Sequence, residues 1–471
     1  MKKETMYKIL GDIDEKTVKA AENAPVKRSR RSWVIKGIAI AACIGLIIGG
    51  GLHFTKTNNM VLASASYPQI EHYPEEDNTE AVYKWLSSIS SLRDQPDGYD
   101  KGFDSFFASS AEVFLSGTDG KNMLYSPLSL YMALAMSAEI TDMNTRRQII
   151  DALAHNDIDS LRSDSKSVWL ANYMDDGMAK CILASSLWLN DSVKYKSETV
   201  ASLSENYYAS VFAGDPDSEG YSKLLSEWLS GQTDGLLDEY ISNVRFDPQM
   251  IVALASTVSY SGKWNDRFDK DKTKPGTFHT SSGDVQCDFM NKKNDRDYFW
   301  GKNFSSITMS LENNGEMRLI LPDEGISAEK LMSDAECIAY MTSFPNYEFE
   351  NREYVTVMLS VPKFDVSSEL DLKDGLKELG ITDLFDPDKA NFSPLANDPS
   401  GIYLSQAKQN TRVVIDEEGC KAASLTVLQY AGAPEPQGKV DFVLDRPFVF
   451  EIISETGLPL FVGIVNNPVA G

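Results

Sequence analysis

Near the C-terminus, two apolar, strand-like runs are joined by a connection that does not read as a loop. The stretch Val413–Phe450 is VVIDEEGCKAASLTVLQYAGAPEPQGKVDFVLDRPFVF. After Gly419 come small residues, then the β-prone run LTVLQY, then a tip rich in glycine and proline. Loops beyond about 12–15 residues with no structure of their own are usually functional or disordered. Any fold for this chain therefore has to account for a long connection with the composition of a strand.

The 471 residues, 42% hydrophobic, suffice for one large domain with appendages or for two domains. The formal net charge of -24 repels phosphate backbones, so no nucleic-acid partner is expected. A heparin-type polyanion is disfavoured on the same ground. The cysteines (Cys43, Cys181, Cys287, Cys337, Cys420) show no CxxC spacing, and the histidines (His53, His72, His155, His279) are scattered. Without a metal motif, a nucleophile elbow or a phosphate-binding glycine loop, no enzyme, metal or cofactor is implied.

The N-terminal part carries a second strong signal. Gly37–Phe54 reads GIAIAACIGLIIGGGLHF, with His53 as its only ionisable residue. A run of this length suits a transmembrane helix. Lys27, Arg28, Arg30, Arg31 and Lys36 precede it and place the N-terminus in the cytoplasm. A cleaved signal peptide fits less well, because a long tail with Glu4, Asp12 and Glu15 comes first. A lipid-anchoring reading of Ile40-Ala41-Ala42-Cys43 fits less well too, because apolar residues continue beyond Cys43. The expected organisation is a cytoplasmic tail (1–36), a transmembrane helix (37–54), a polar extracellular linker (55–100) and a folded domain (101–471), in a single-pass protein of the cell surface.

Within the domain, SPLSLYMALAMSAEI (Ser126–Ile140) has helical spacing, with serine as cap and proline in the first turn. MIVALASTVSY, MRLILP and YVTVMLSVPKFDV (Tyr354–Val366) read as strands, and DLKDGLKELGI as a helix ending at Gly380. Helices dominate the first half and strands the second, without strict βαβ alternation. The expected class is α+β with a mixed or mostly antiparallel sheet.

Taken in order, NMLYSPLSLYMALAMSAEITDMNTRRQI, LSEWLSGQTDGLLDEYI, STVSYSGKWNDRFD with a strand that ends at Trp264, TFHTSSGDVQCDFMNKK, MRLILPDEG, VPKFDV, DLKDGLKELGITDLFDP, DRPFVFEI and LFVGIVNNP resemble the serpin family over Phe103–Pro468. The resemblance implies helices around a large main sheet, smaller additional sheets and an exposed reactive-centre loop, which is the long connection. It implies a monomer that acts as a suicide substrate. A serine protease attacks the loop and forms an acyl-enzyme, and the cleaved loop enters the main sheet as a new strand. The native state is then held by a kinetic barrier.

The residues fit that physics. Strand side chains alternate between faces. One set, Cys420, Ala422, Ser424, Thr426, is small throughout. The other, Lys421, Ala423, Leu425, Val427, holds the only charge. No proline interrupts Gly419–Ala433, so no ladder bond is lost there. The resemblance makes Glu417, Glu418, Gly419, Cys420, Lys421, Ala422, Ala423 and Ser424 the hinge, although cysteine and lysine replace the family's usual threonine or serine and glutamate. It makes Ser126, Ser129, Ser185 and Gln409 the cluster beneath the sheet, the last two standing in for an asparagine and a histidine, with Trp264 beside the hinge.

Family spacing puts the scissile bond at Ala433-Pro434. Proline there removes an N–H and fixes the backbone, so Tyr430-Ala431, Ala431-Gly432 and Gly432-Ala433 stay open as alternatives. No Arg or Lys lies between Lys421 and Lys439, which disfavours a trypsin-like target. Small residues suit an elastase-like or subtilisin-like pocket, and Tyr430-Ala431 a chymotrypsin-like one. The competing expectation is a non-inhibitory surface binding module, or simply a protease substrate.

Overall fold

The computed structural model describes residues 60–74, 79–177, 179–241, 244–312, 315–344, 349–420 and 435–470. The strands used below are β1 (Val61–Ala63), β2 (Lys180–Asn190), β3 (Ala209–Gly214), β4 (Val252–Lys263), β5 (Phe364–Asp371), β6 (Lys408–Ile415) and β7 (Gly419–Cys420). The helices are α1 (Thr79–Arg93), α2 (Pro127–Ile140), α3 (Ile158–Asn172) and α4 (Glu219–Gln232).

The main sheet runs β1-β3-β2-β4-β7. The pairs β1–β3, β2–β4 and β4–β7 are antiparallel, while β2–β3 is parallel. An antiparallel pair, β5–β6, forms its own ladder. Among the described residues no ladder joins β4 to β6. A second, nine-stranded sheet contains the three C-terminal strands and takes the chain after the long connection as Lys439–Val443, parallel to Arg352–Pro362. Apart from those parallel pairs, the expected α+β, largely antiparallel architecture is what forms.

Helix α2 lies between the sheets, against both β4 and Pro459–Val465. It starts where the Ser126 hydroxyl accepts from Ser129 N, with Pro127 in the first turn, and nearly every residue is buried. A helix apolar on all sides has to be buried on all sides.

Two expectations change. YVTVMLSVPKFDV is two strands, Arg352–Pro362 and Phe364–Asp371, in different ladders. Pro362 lacks an N–H, and the strand breaks just after it, at Lys363. The segment read as a linker from 55 to 100 is, over its described part, built into the domain. β1 pairs with β3 at the sheet edge. Tyr67 packs 5.2 Å from the Trp169 ring and 5.7 Å from Tyr173. Trp85 Nε1 donates to Asp176 (2.9 Å), and Arg93 pairs with Glu455 (3.1 Å). The apolar span at 37–54 lies outside the described residues. Among the described residues, no helix is long and apolar enough to cross a membrane.

Candidate functional site

The long connection leaves β6 through a tight turn. Asp416 and Gly419 exchange backbone hydrogen bonds (3.3 Å each), and β7 then pairs with β4, Gly419 opposite Lys263 and Cys420 opposite Gly262. Gly419 has φ 133, and a Cβ there would fall 2.6 Å from Lys263 Cα and 2.7 Å from Gly262 O. The glycine is therefore required by close approach as well as by backbone angle.

Charged groups hold this turn. Glu417 is buried; its carboxylate accepts from Thr273 Oγ1 (2.8 Å) and pairs with Lys363 Nζ (2.9 Å). Burial pushes its pKa up, but the bonds from Lys363 and Thr273 outweigh that and hold it below the ordinary value. Glu418 pairs with Lys270 (2.9 Å) and Arg267 (3.3 Å), and Arg267 also pairs with Glu312 (3.0 Å). Lys270 foremost depresses the Glu418 carboxyl. Trp264 is buried beside the turn; its Nε1 donates to Asp416 O (2.9 Å) and its backbone N to Glu418 O (3.1 Å).

Further down, the unjoined boundary between β4 and β6 lies over neutral polar groups. Ser126 N donates to Gln409 Oε1 (2.8 Å), and Gln409 Nε2 donates back to Ser126 O (3.0 Å). The Ser126 hydroxyl donates to Leu460 O (2.8 Å). Ser129 donates to Ser256 Oγ (3.2 Å), Ser256 donates to Ser129 O (3.2 Å), and Ser185 lies 3.3 Å from the Ser256 hydroxyl. The four residues expected beneath the sheet do come together. Ser256 joins them at their centre and was not anticipated. Its place inside MIVALASTVSY carries no local signal beyond a hydroxyl on an apolar strand.

Two unfilled spaces mark the boundary. One, about 20 Å³, is lined by Ser129, Ser256, Val258, Gln409 and Thr411. The other, about 60 Å³, is mainly apolar, with Leu130, Ala133, Leu134, Leu254, Leu404 and Ala407 in its wall. Above the first space, the chain following α4 is tied across the boundary. Arg412, held by Asp365 through two 2.8 Å bonds, donates to Leu236 O (3.1 Å), and Asp234 pairs with Lys180 (2.7 Å).

Of the expected hinge, Glu417, Glu418, Gly419 and the Cys420 backbone are placed as above. Lys421, Ala422, Ala423 and Ser424 lie outside the described residues, as do Tyr430, Ala431, Gly432, Ala433 and Pro434 around the expected scissile bond. Of the partners of the hinge, Arg267 and Lys363 stand within the blocks STVSYSGKWNDRFD and VPKFDV without being singled out there, and Thr273 and Lys270 stand in none of the quoted blocks. Among the described residues no His, Cys, Asp and Glu group has the clustering of a metal site.

Comparison with known proteins agrees with this geometry. The Serpin (serine protease inhibitor) family model matches residues 105–468. Serpin-ZXA of Oryza sativa subsp. japonica is 27% identical over 382 residues, which cover 77% of this chain and 94% of the rice protein. Alpha-1-antiproteinase of Rattus norvegicus is 28% identical over 356 residues, 74% of this chain and 84% of the rat protein. Among solved structures, the thermophilic serpin tengpin in its native state superposes with a TM-score of 0.68 at 27% identity, over 78% of this chain and 95% of tengpin.

Proposed function

The chain belongs to the serpin family, and from that premise we propose that it is a suicide-substrate inhibitor of serine proteases with small-residue specificity. The family consists of serine protease inhibitors, and the chain is not an enzyme. The reading proposed is that an elastase-like or subtilisin-like protease attacks the connection between Tyr430 and Pro434. In this reading the protease's serine attacks the scissile carbonyl and the C–N bond breaks. The amine of the C-terminal segment takes up a proton as the leaving group while that segment stays in the second sheet. The acyl-enzyme on the loop's new C-terminus is carried with the loop into the boundary between β4 and β6.

One observation carries this reading. Gly419 and Cys420 already pair with β4, beside a boundary that no ladder closes. A strand continuing from Cys420 would gain hydrogen bonds along both β4 and β6, and closing such a gap is the driving force that insertion needs.

The test is to incubate the full chain, in mild detergent, with pancreatic-type elastase, chymotrypsin and subtilisin. A complex surviving denaturation, with a released peptide beginning between Ala431 and Pro434, is expected. Cleavage with no complex would favour the alternative, a serpin-fold binding module or a protease substrate.

We further propose that Gly37–Phe54 anchors the chain in a membrane with the inhibitory domain outside. The length and charge flank of that run support this reading. Since β1 begins at Val61, it leaves only residues 55–60 between the span and the first strand. Carbonate extraction of cell membranes that released the full chain would refute it.

A further inference from the structure

The second sheet carries a charge cluster that the inhibitory reading does not use. Glu316 and Arg318 lie two residues apart on the strand Glu316–Pro322 and so share a face. Glu451, on the strand Phe448–Ile453, stands directly opposite Arg318. Arg318 and Glu451 are wholly buried, and Arg318 Nη1 pairs with Glu451 Oε2 at 3.3 Å. That nitrogen also donates to Tyr340 O (2.8 Å) and Met341 O (2.6 Å), so its two hydrogens serve three acceptors. Arg318 Nη2 donates to Ser343 O, and the guanidinium lies 5.1 Å from the centre of the Tyr340 ring. These carbonyls sit at the C-terminal end of the helix Ala335–Thr342, where a helix leaves acceptors unmet. Glu451 Oε1, Glu316 Oε2 and Arg318 Nε are buried with no hydrogen-bond partner.

Charge counting shows what the cluster lacks. With both carboxyls ionised, it buries more negative than positive charge, and a group so placed takes up a proton instead. The neighbours do not correct the balance. The helix Phe103–Leu115 adds Asp104, whose negative charge, like that of Glu316, raises Glu451 further. The helix Ala335–Thr342 adds Cys337 and Tyr340, which burial keeps neutral, and the Tyr340 hydroxyl lies 2.9 Å from that of Ser306. Burial outweighs the attraction of Arg318 and pushes the Glu451 carboxyl up to about 7; burial raises Glu316 as well.

We infer that Glu316, Glu451 and Arg318 form a proton-binding switch in the second sheet. One proton shared by the two carboxyls makes the cluster neutral and leaves Arg318 to hold the helix end. When that proton leaves, the new carboxylate draws Arg318 away from the carbonyls of Tyr340, Met341 and Ser343. The segment so loosened carries Phe344, whose ring lies close against Gly457 in the turn between the last two strands. The sign follows from linkage. The folded Glu451 value lies above the unfolded one, about 4.3, so the stabilisation is complete below the unfolded value and lost as pH rises through the folded one. The hinge carboxyls are shifted the other way and titrate below this window. The switch does not depend on what the long connection does.

The test follows Tm of the full chain, in mild detergent, from about pH 5 to about pH 8. The unaltered protein should lose several degrees across that interval. Glu451→Gln and Glu316→Gln should each remove most of the loss, because one carboxylate then remains for one guanidinium. A loss of the same size in all three proteins would overturn the switch. A readout that needs no variant is the infrared C=O band of a protonated carboxylic acid, recorded on the unaltered protein with isotopically labelled glutamate. A labelled band present near pH 6 and gone near pH 8 is expected. Absence of any protonated glutamate near pH 6 would overturn the proposal, whether or not the variants fold.

Discussion

The hinge end and the middle of the open boundary are held by different physics. At the hinge end, ion pairs dominate: Glu417 with Lys363, Glu418 with Lys270 and Arg267, all around the buried Trp264. In the middle, neutral groups dominate: four serine hydroxyls and one glutamine amide, with no titratable member. The first arrangement is directional and holds a turn in one place. The second is a set of weak, exchangeable bonds, each worth about 1 kcal/mol. On the proposed function the boundary opens once and is refilled, which calls for a firm pivot and a soft middle, and the residues are divided in that way.

The largest test of this contrast is Gly419→Ala. The added Cβ meets Lys263 and Gly262 backbone, and φ 133 is unfavourable for alanine. Strained backbone alone costs on the order of 1–3 kcal/mol, so the hinge should leave β4. Hydrogen exchange at Gly262–Trp264 should rise sharply while the Ser126–Ser129 amides stay protected. Simultaneous loosening of both regions would show that they are one unit.

Next comes the Glu417–Lys363 pair. A double-mutant cycle with Glu417→Gln and Lys363→Met should give a coupling of about 1–3 kcal/mol, measured by denaturant unfolding. Its pH dependence has a definite sign. Because the Glu417 and Glu418 carboxyls are held below their ordinary value, their stabilisation is fully present above the unfolded-state pKa, about 4.3. It is lost as pH falls through the lower folded values. Acid should therefore loosen the hinge, and Glu417→Gln should flatten the Tm profile below that point.

A smaller effect is expected in the middle. Ser256→Ala should cost about 1 kcal/mol and speed loop insertion, with the same change at pH 4 and pH 7 because no member of the cluster titrates. A pH-dependent effect would contradict the neutral description. The smallest effect belongs to Glu418, whose side chain is 41% exposed. Raising salt to about 1 M should weaken its pairs by no more than about 1 kcal/mol, visible as a slight fall in Tm that Glu418→Gln abolishes.

Several parts of this molecule were legible in the order of its residues. Ser126-Pro127 announced a helix start and formed one. The small residues after Gly419 marked a segment suited to a crowded interior. Trp264 and the hinge glutamates stood in recognisable blocks and lie within one another's reach. Other parts were not legible. Tyr67 sits in a polar stretch and reads as linker; it packs on the domain only because Trp169 and Tyr173, far along the chain, offer a flat aromatic face. Ser256 is one hydroxyl in an apolar strand, and its role comes from Ser129 and Ser185, brought to it by α2 and β2. The division of YVTVMLSVPKFDV between two ladders depends on which partners each half finds.

What the sequence alone determined were properties with a local cause: helix caps, strand alternation, the absence of proline from Gly419 to Ala433, and the small alternate set beginning at Cys420. Their physical basis is backbone sterics and side-chain spacing, which act over a few residues. Only the tertiary structure decided that β4 and β6 stand unjoined, that Gly419 must be glycine because Lys263 backbone lies against it, and that a polar and an apolar space follow one another along the boundary. Those outcomes depend on register between strands whose residues are more than a hundred positions apart in sequence. The alternation within a strand says which side chains share a face, but the partner strand decides what each of them meets.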